Sequence, residues 1–553
     1  MPNSIVAEIW MPAAGDLARL APFWSLAGTI VAVLAGALLV GRNWRVAGGI
    51  AATGAILTAW LCLRGLSGVD GPWAGLAPAG DAPMLVVDQF SNFFILLLSV
   101  FLALVTGMWF MGRQGDRPDE HAHRADATEF FVLLVGSAFG MALMVSTSNL
   151  LMIILAVESA SLPSYGLAGF RKKHRLGAEA SLKYVLFGAV TSAIMIYGAS
   201  LLYGHYHTLD LAQIGRAINL EGPSLLMGVA LFAFMVGVAF KISAVPFHFW
   251  CPDVFEGASI EVTTWLSVAS KAAGLGLLLR IIAVVVGSLT SADVLGYVGI
   301  AIAVMAGLTC TVGNFSAFRQ TNMKRLLAFS SIAHAGYMLM AAAIIWKPGE
   351  SPSSPEYAAA VHPAFSVIVA YLIVYLLMNL CAFGCVALVY WATGSETIDA
   401  FNGLGRRSPI VALAMTVSVF SLVGLPPFGG FMAKLWLLYA LYDARLLSLV
   451  FIALFNTLIS LYYYARVAYA MYFVDDDHPP IRVYSAGRVL VAACAVGILL
   501  TGTLSAGWLK SFSDARSTGL YAVSPTVQST ATTEVAAPVL PVAFEERQPP
   551  GSH

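Results

Sequence analysis

Residues 224–249 read SLLMGVALFAFMVGVAFKISAVPFHF. No charge appears before Lys241, and Pro246 follows it within the same apolar run. About 20 apolar residues cross the hydrocarbon core of a bilayer as a helix. Proline inside a helix removes a backbone hydrogen bond and clashes with the preceding turn. Backbone that leaves the helix at membrane depth survives only when buried in protein or lining a hydrated cavity. The stretch therefore reads as a broken membrane helix, inside a bundle, with an ammonium group at the break. Residues 424–436, GLPPFGGFMAKLW, repeat the combination: Pro426, Pro427, Gly429 and Gly430 interrupt the run, and Lys434 follows. Two interrupted helices, one in each half of a chain, are the usual mark of a transport site between inverted repeats.

The rest of the chain agrees. Of its 553 residues, 59% are hydrophobic and 11% charged, against about 25% charged in soluble domains; mean hydropathy is +0.80. Thirty basic and thirty acidic side chains leave no net charge, which speaks against a nucleic-acid partner. Five of the six cysteines lie in apolar runs and no CxxC occurs, so they read as small apolar fillers rather than disulfides or metal ligands. The first basic residue is Arg19, so no cleavable leader is expected, and the opening stretch with Trp10 and Phe23 reads as interfacial. An all-α polytopic membrane protein follows, with about fourteen spans near 22–41, 44–64, 91–112, 129–147, 149–170, 178–203, 224–249, 260–286, 292–313, 323–345, 362–391, 409–441, 446–473 and 485–508. A β-barrel would need alternation over about ten residues per strand, whereas these runs are continuous and longer. Sixteen Lys and Arg, among them Arg42, Arg171, Lys172, Lys173, Arg175, Arg406 and Arg407, fall in connections after odd spans; four, Arg64, Arg216, Lys347 and Arg445, follow even spans. The positive-inside rule then puts both termini on the non-cytoplasmic side. Residues from 511 on, rich in Ser, Thr, Pro and Ala, read as a flexible tail.

Once loop charges are set aside, Glu158, Lys183, Lys241, Lys271 and Lys434 remain inside apolar helices. A lysine at the centre of a membrane helix costs about 2.5–3.5 kcal/mol on insertion scales. Such groups mark ion or proton pathways by default. Lys183 is about five residues into its span, within snorkelling reach of the interface. Lys271 and Glu158 are too central for that. His334 stands in FSSIAHAGYML, one turn after Ser330 and Ser331; it fits either a proton relay or a satisfied core histidine. His248 reads as a residue of the cytoplasmic edge.

The stretches 240–258, FKISAVPFHFWCPDVFEGA, and 267–280, SVASKAAGLGLLLR, resemble the antiporter-like membrane subunits of the proton-pumping NADH:quinone oxidoreductase, respiratory complex I. So do 178–198, AEASLKYVLFGAVTSAIMIYG, and 318–339, FRQTNMKRLLAFSSIAHAGYML, together with the segment around Lys434. The resemblance runs from about 130 to 470, and its details are most similar to the subunit N branch, the homologues of mitochondrial subunit 2. It implies two inverted five-helix repeats, spans 4–8 (129–286) and 9–13 (287–473), flanked by spans 1–3 (1–128), span 14 (474–510) and the tail (511–553). It implies a proton path through Glu158, Lys183, Lys241, Lys271, His334 and Lys434, with helix breaks at Pro246, Pro426 and Pro427. It also implies a bacterial inner-membrane location and sister antiporter-like subunits as partners. FMN, iron–sulfur clusters, NADH and quinone would belong to other subunits. On this chain no cofactor or redox site is expected, since no GxGxxG opens a βα unit. A subunit of a multi-subunit cation/proton antiporter, or of a membrane-bound hydrogenase, is the alternative. The family pattern is departed from at Ser259, Ile260 and Glu261, after PDVFEGA.

Overall fold

The computed structural model describes residues 14–67, 73–75, 83–112, 126–171, 174–286, 292–345, 355–474 and 485–521. The expected interfacial segment around Trp10 lies outside these residues, as does the chain from 522 on. Among the described residues, thirteen helices are long and apolar enough to cross a membrane. They are Ala21–Val40, Trp44–Leu66, Gln89–Gly112, Ala127–Met144, Leu150–Ala168, Arg175–Tyr206 and Leu225–Ile242 (spans 1–7), then Ile260–Val285, Val294–Ala317, Met323–Ile345 and Pro363–Thr393 (spans 8–11), then Leu447–Phe473 and Ser485–Gly502 (spans 13 and 14). Span 12 is two shorter helices, Pro409–Val423 and Gly429–Asp443, because the Pro426-Pro427 pair parts them. Span 7 resumes after its own break as Trp250–Gly257.

The two breaks have the same backbone design. In span 7 the helix ends on Ser243 with φ 64°, and in span 12 on Gly424 with φ 91°. Three positions later each chain has a cis proline, Pro246 and Pro427. Ser243 N–H donates to Phe240 O and Ala244 N–H to Ala239 O; Gly424 N–H donates to Ser421 O and Leu425 N–H to Phe420 O. These are the paired bonds of a left-handed helix stop.

The repeat extends beyond the breaks. Span 5 starts from Asn149 and span 10 from Asn322, whose side chains accept the first backbone N–H groups of each helix. Both asparagines form an isolated antiparallel bridge, Asn149 to Asp210 after span 6 and Asn322 to Thr397 after span 11. The numbering shift that carries Asn149 onto Asn322 also carries Gly140 onto Gly313 and Ala160 onto Ala333. A Cβ on Gly140 would stand 2.2 Å from Ala160 N, and one on Gly313 would stand 2.6 Å from Ala333 N. Glycine is thus required at both seams, where spans 4 and 5, and 9 and 10, touch backbone to backbone. Since five spans separate the halves, their directions across the bilayer are opposite. The chain has two inverted five-helix repeats.

Several features were not legible in the sequence. An amphipathic helix, Leu211–Glu221, joins spans 6 and 7, capped by Asp210, which accepts from Ala212 N–H. Span 8 carries a π-helical turn, Leu266–Ser270, directly before Lys271. A short hairpin, Trp73–Gly75 with Leu85–Val87, is fastened to the bundle by Val86 N–H donating to Ser146 O. The expected tail from 511 is corrected at its start. Helix Ala506–Tyr521 continues through it, because Phe512 packs on Phe93 and Ser513 is buried against Ser366. Span 10 is buried along its whole apolar window.

Arg280 of span 8 is a buried charge that sequence reading passed over. It grips Asp88 through Nη1–Oδ2 at 2.5 Å and Nη2–Oδ1 at 2.9 Å, and donates to Val145 O. Its guanidinium also lies over Phe90. Asp88 in turn accepts from Ser91 N–H at the start of span 3, so one ion pair ties the three N-terminal spans to the first repeat. Removing one partner leaves an uncompensated buried charge, which costs about 3–5 kcal/mol. Arg280→Met is expected to lower the thermal stability of the subunit sharply. Asp88→Leu added to it should recover most of the loss, as read by thermal unfolding of the detergent-solubilised protein.

Candidate proton-path site

Each side chain of the expected path is placed by a distinct element. Lys241 is on the last turn of the first half of span 7, two residues before the helix stop. Its ammonium Nζ is buried and makes no hydrogen bond. The carbonyls freed by the break are capped by others: Trp250 Nε1 donates to Phe240 O at 3.2 Å, and Ser270 Oγ donates to Lys241 O at 3.1 Å. Trp250 is held flat on Tyr184, with ring centroids 4.3 Å apart, and the Tyr184 hydroxyl is also buried without a partner. The charge that acts on Lys241 is Glu158. No ion pair joins them. Glu158 is half-buried on span 5 and accepts a short hydrogen bond from Ser192 of span 6.

A line of polar groups then crosses the bundle. Lys241, Lys271, His334 and Lys434 are 1%, 0%, 2% and 6% exposed. Gly274, one turn past Lys271, lets span 8 approach the Lys241 side chain; a Cβ there would sit 3.3 Å from Lys241 Cβ. Lys271 Nζ lies 4.0 Å from Cys251 Sγ, and that sulfur lies 3.9 Å from Ser331 Oγ on span 10. His334 follows on the same helix. Its Nδ1 is 2.7 Å from the Tyr371 hydroxyl, and its ring packs against Tyr375 and Tyr337. The Tyr337 ring then faces Lys434 Nζ at 4.4 Å. Lys434, on the second half of span 12, reaches back across the break and donates to Leu422 O at 3.1 Å and Val423 O at 2.8 Å.

Lys183 stands apart from this line. It pairs with Asp253 at 2.6 Å and Glu179 at 2.8 Å. Arg325 joins the same cluster through Asp253 and Glu256. These groups line a polar cavity of about 370 Å³. The interfacial reading of Lys183 fits this placement better than the central one. His248, expected at the membrane edge, is buried within the span 7 break. Cys251, Ser331, Tyr337, Tyr371 and Tyr375 were missed as members of the line. Cysteine, serine and tyrosine in an apolar helix look like core, and only the helix crossings bring them between the lysines. Lys324, one of the sixteen charges assigned to connections after odd spans, is buried and pairs with Glu396 at 2.8 Å; it also donates to Ala258 O, beside the unusual Ser259-Ile260-Glu261 segment.

Two inverted five-helix repeats, each with a broken helix and a buried lysine at or across the break, define an antiporter-like membrane subunit. Residues 147–460 match the family described as NADH:quinone oxidoreductase/Mrp antiporter, TM. Relatives named NADH-quinone oxidoreductase subunit N include one from Anaeromyxobacter sp. (strain Fw109-5), 39% identical over 76% of this chain and 82% of its own. Another, from Chlorobium chlorochromatii (strain CaD3), is 39% identical over 77% of this chain and 80% of its own. A chain of respiratory complex I from Thermus thermophilus superposes with a TM-score of 0.70 at 29% identity, over 88% of this chain and 98% of that one. A chain of the Mrp complex from Dietzia sp. DQ12-45-1b shares the fold, with a TM-score of 0.76 at 20% identity over 93% and 99%. The chain belongs to this family, in its NADH-quinone oxidoreductase subunit N branch.

The contact between Lys434 and Gly424 can be tested directly. A Cβ on Gly424 would stand 2.8 Å from Lys434 Cδ, at a φ of +91° that disfavours any side chain. Gly424→Ala should therefore displace Lys434 from its carbonyls at a backbone cost of about 1–2 kcal/mol. The expected outcome is an assembled complex with a several-fold lower proton yield per electron, measured in proteoliposomes.

Proposed function

We propose that this chain is a proton-translocating membrane subunit of an NADH:quinone oxidoreductase, moving protons through buried Lys, Glu and His side chains while quinone is reduced elsewhere in the complex. The observation that carries the reading is the set of buried polar groups with Lys241 at one end: Lys271 beside Cys251, Cys251 beside Ser331, and His334 and Lys434 both against the Tyr337 ring. It lies between two helix breaks and joins the two repeats. NADH, FMN, the iron–sulfur clusters and the quinone are handled by other subunits, and sister antiporter-like subunits are neighbours in the membrane. The location is a bacterial inner membrane, with both termini on the non-cytoplasmic side, as the distribution of Lys and Arg favours. Functionally, residues 129–286 and 287–473 act as the two repeats.

Glu158 and Lys241 form the moving part. An approaching carboxylate favours the charged ammonium, and its withdrawal in a desolvated pocket favours release of the proton. Glu158 is at present bound by Ser192, and Lys241 has no partner, which is the open arrangement of that pair. A proton leaving Lys241 passes to Lys271, then along Cys251, Ser331 and His334 to Lys434. The gaps from Lys271 to Cys251 and from Cys251 to Ser331, 4.0 and 3.9 Å, call for solvent or side-chain rotation to carry the proton across them. Moving one charge against 100 mV requires about 2.3 kcal/mol. That energy comes from the redox partners.

Lys241→Ala is expected to abolish proton pumping in the reconstituted complex while leaving its assembly intact. Full pumping by that variant would refute the role of Lys241. A purified complex containing flavin and iron–sulfur subunits separates this reading from an ion-gradient antiporter. Co-purification with antiporter subunits alone, and sodium-driven proton movement, would favour the latter.

A further inference from the structure

The geometry points to Tyr337 as the positioning residue of Lys434: its aromatic face, not its hydroxyl, holds the ammonium group in place. This inference rests on the proton-carrying role given to Lys434 above.

Lys434 carries three N–H donors. Two are used by Leu422 O and Val423 O, at the carbonyl end of the first half of span 12. No carboxylate pairs with it among the described residues. The remaining contact is the Tyr337 ring, 4.4 Å from Nζ to the centroid. A cation over an aromatic face is attracted by the ring quadrupole, most strongly where water is excluded. Both groups are buried. The ring is also fixed from behind. The Tyr337 hydroxyl is 3.1 Å from Thr457 Oγ1 on span 13 and donates to Ala453 O at 3.4 Å. The residue before Thr457, Asn456, is locked to Asn314 and Thr311 of span 9, and Tyr463 donates to Asn314. The hydroxyl end is thus committed to span 13, and the face is turned to the lysine.

The lysine at the first break lacks this device, while another ring of that repeat, Phe255, stands 5.3 Å from Lys271 Nζ. The numbering shift that superposes Asn149 on Asn322 carries Ser164 onto Tyr337. Ser164 donates back to Ala160 O within its own helix. Lys241, the lysine at that repeat's helix break, has no hydrogen bond, and among the described residues no ring lies over it. The ring is therefore no requirement of the repeat fold. It accompanies the one lysine that caps a broken helix. Among the described residues, the titratable side chains placed against Lys434 are Cys310 of span 9 and His334 and Tyr337 of span 10. None is a carboxylate, so the ring and the two carbonyls are what favour the charged lysine.

The test replaces Tyr337 in the whole reconstituted complex with phenylalanine, then with ring-fluorinated phenylalanines of increasing fluorine content. Fluorination drains the ring face of negative potential at nearly constant shape. Proton pumping and NADH:quinone turnover are followed against pH. Tyr337→Phe should keep the wild-type profile. Successive fluorines should move the alkaline limb of pumping stepwise to lower pH, by about one unit in total. Tyr337→Leu should produce the same displacement in one step. If Tyr337→Leu fails to assemble, the fluorine series still decides. A limb that stays in place across the series overturns the inference, as does loss of pumping in Tyr337→Phe, which would assign the role to the hydroxyl. Lys434→Gln separates the two levels of the argument. Persistent pumping there sinks the role of the lysine itself, whereas lost pumping with a flat fluorine series sinks only the role of the ring.

Discussion

A helix that stops halfway through a bilayer exposes carbonyl groups where there is no water to receive them. Everything central to this subunit follows from how those carbonyls are satisfied at two places. In span 7 the indole of Trp250 and the hydroxyl of Ser270 take them, and Lys241 is left with its ammonium group unengaged. In span 12 the lysine takes them itself. The backbone turns are the same, down to the bonding of Ser243 with Ala244 and of Gly424 with Leu425. One fold thus holds two lysines in different ways: one waits for a partner, and the other is already a cap. A proton path needs groups that differ in how readily they give up a proton, and the asymmetry of the caps supplies a difference without any change of residue type.

The frame around the breaks is stiff. Gly140 and Gly313 let backbones touch at equivalent seams of the two repeats, where any side chain would collide. Arg280 and Asp88 lock span 8 to span 3. Lys324 and Glu396 do the same where spans 10 and 11 leave the bundle. The broken helices are interrupted at the short irregular stretches after Ile242 and Val423. Glu158 is half-buried and is held by a hydrogen bond from Ser192 of span 6.

The span pattern was legible because about 20 apolar residues have one meaning in a bilayer. The central charges were legible because their burial is costly. Lys241, Lys271, His334 and Lys434 are buried inside the bundle, and the breaks at Pro246, Pro426 and Pro427 stand where proline and glycine interrupt the runs. What the sequence did not disclose depends on crossings. Cys251 becomes a neighbour of Lys271 only because the second half of span 7 folds against span 8. Arg280 was passed over because its partner, Asp88, comes from a distant connection. Lys183 was grouped with the central charges on position alone, and its carboxylate partners come from another helix, at Asp253, and from its own first turn, at Glu179. The helix that begins at Ala506 escaped notice because its composition is that of a linker, and packing on Phe93 and Ser366 decides its structure.

Span 10 has no lipid face at all. It carries Ser330, Ser331, His334 and Tyr337 in its middle, a poor substrate for partition into hydrocarbon. During biosynthesis such a helix gains little from leaving the translocon by itself. The backbone contacts of Gly313 with Ala333, and of Gly336 with Cys310, make spans 9 and 10 a tight hairpin. Spans 9 and 10 would thus enter the bilayer as a pair, with span 9 lending the greasy surface that its partner lacks, and the polar centre of the subunit would be enclosed before lipid could reach it.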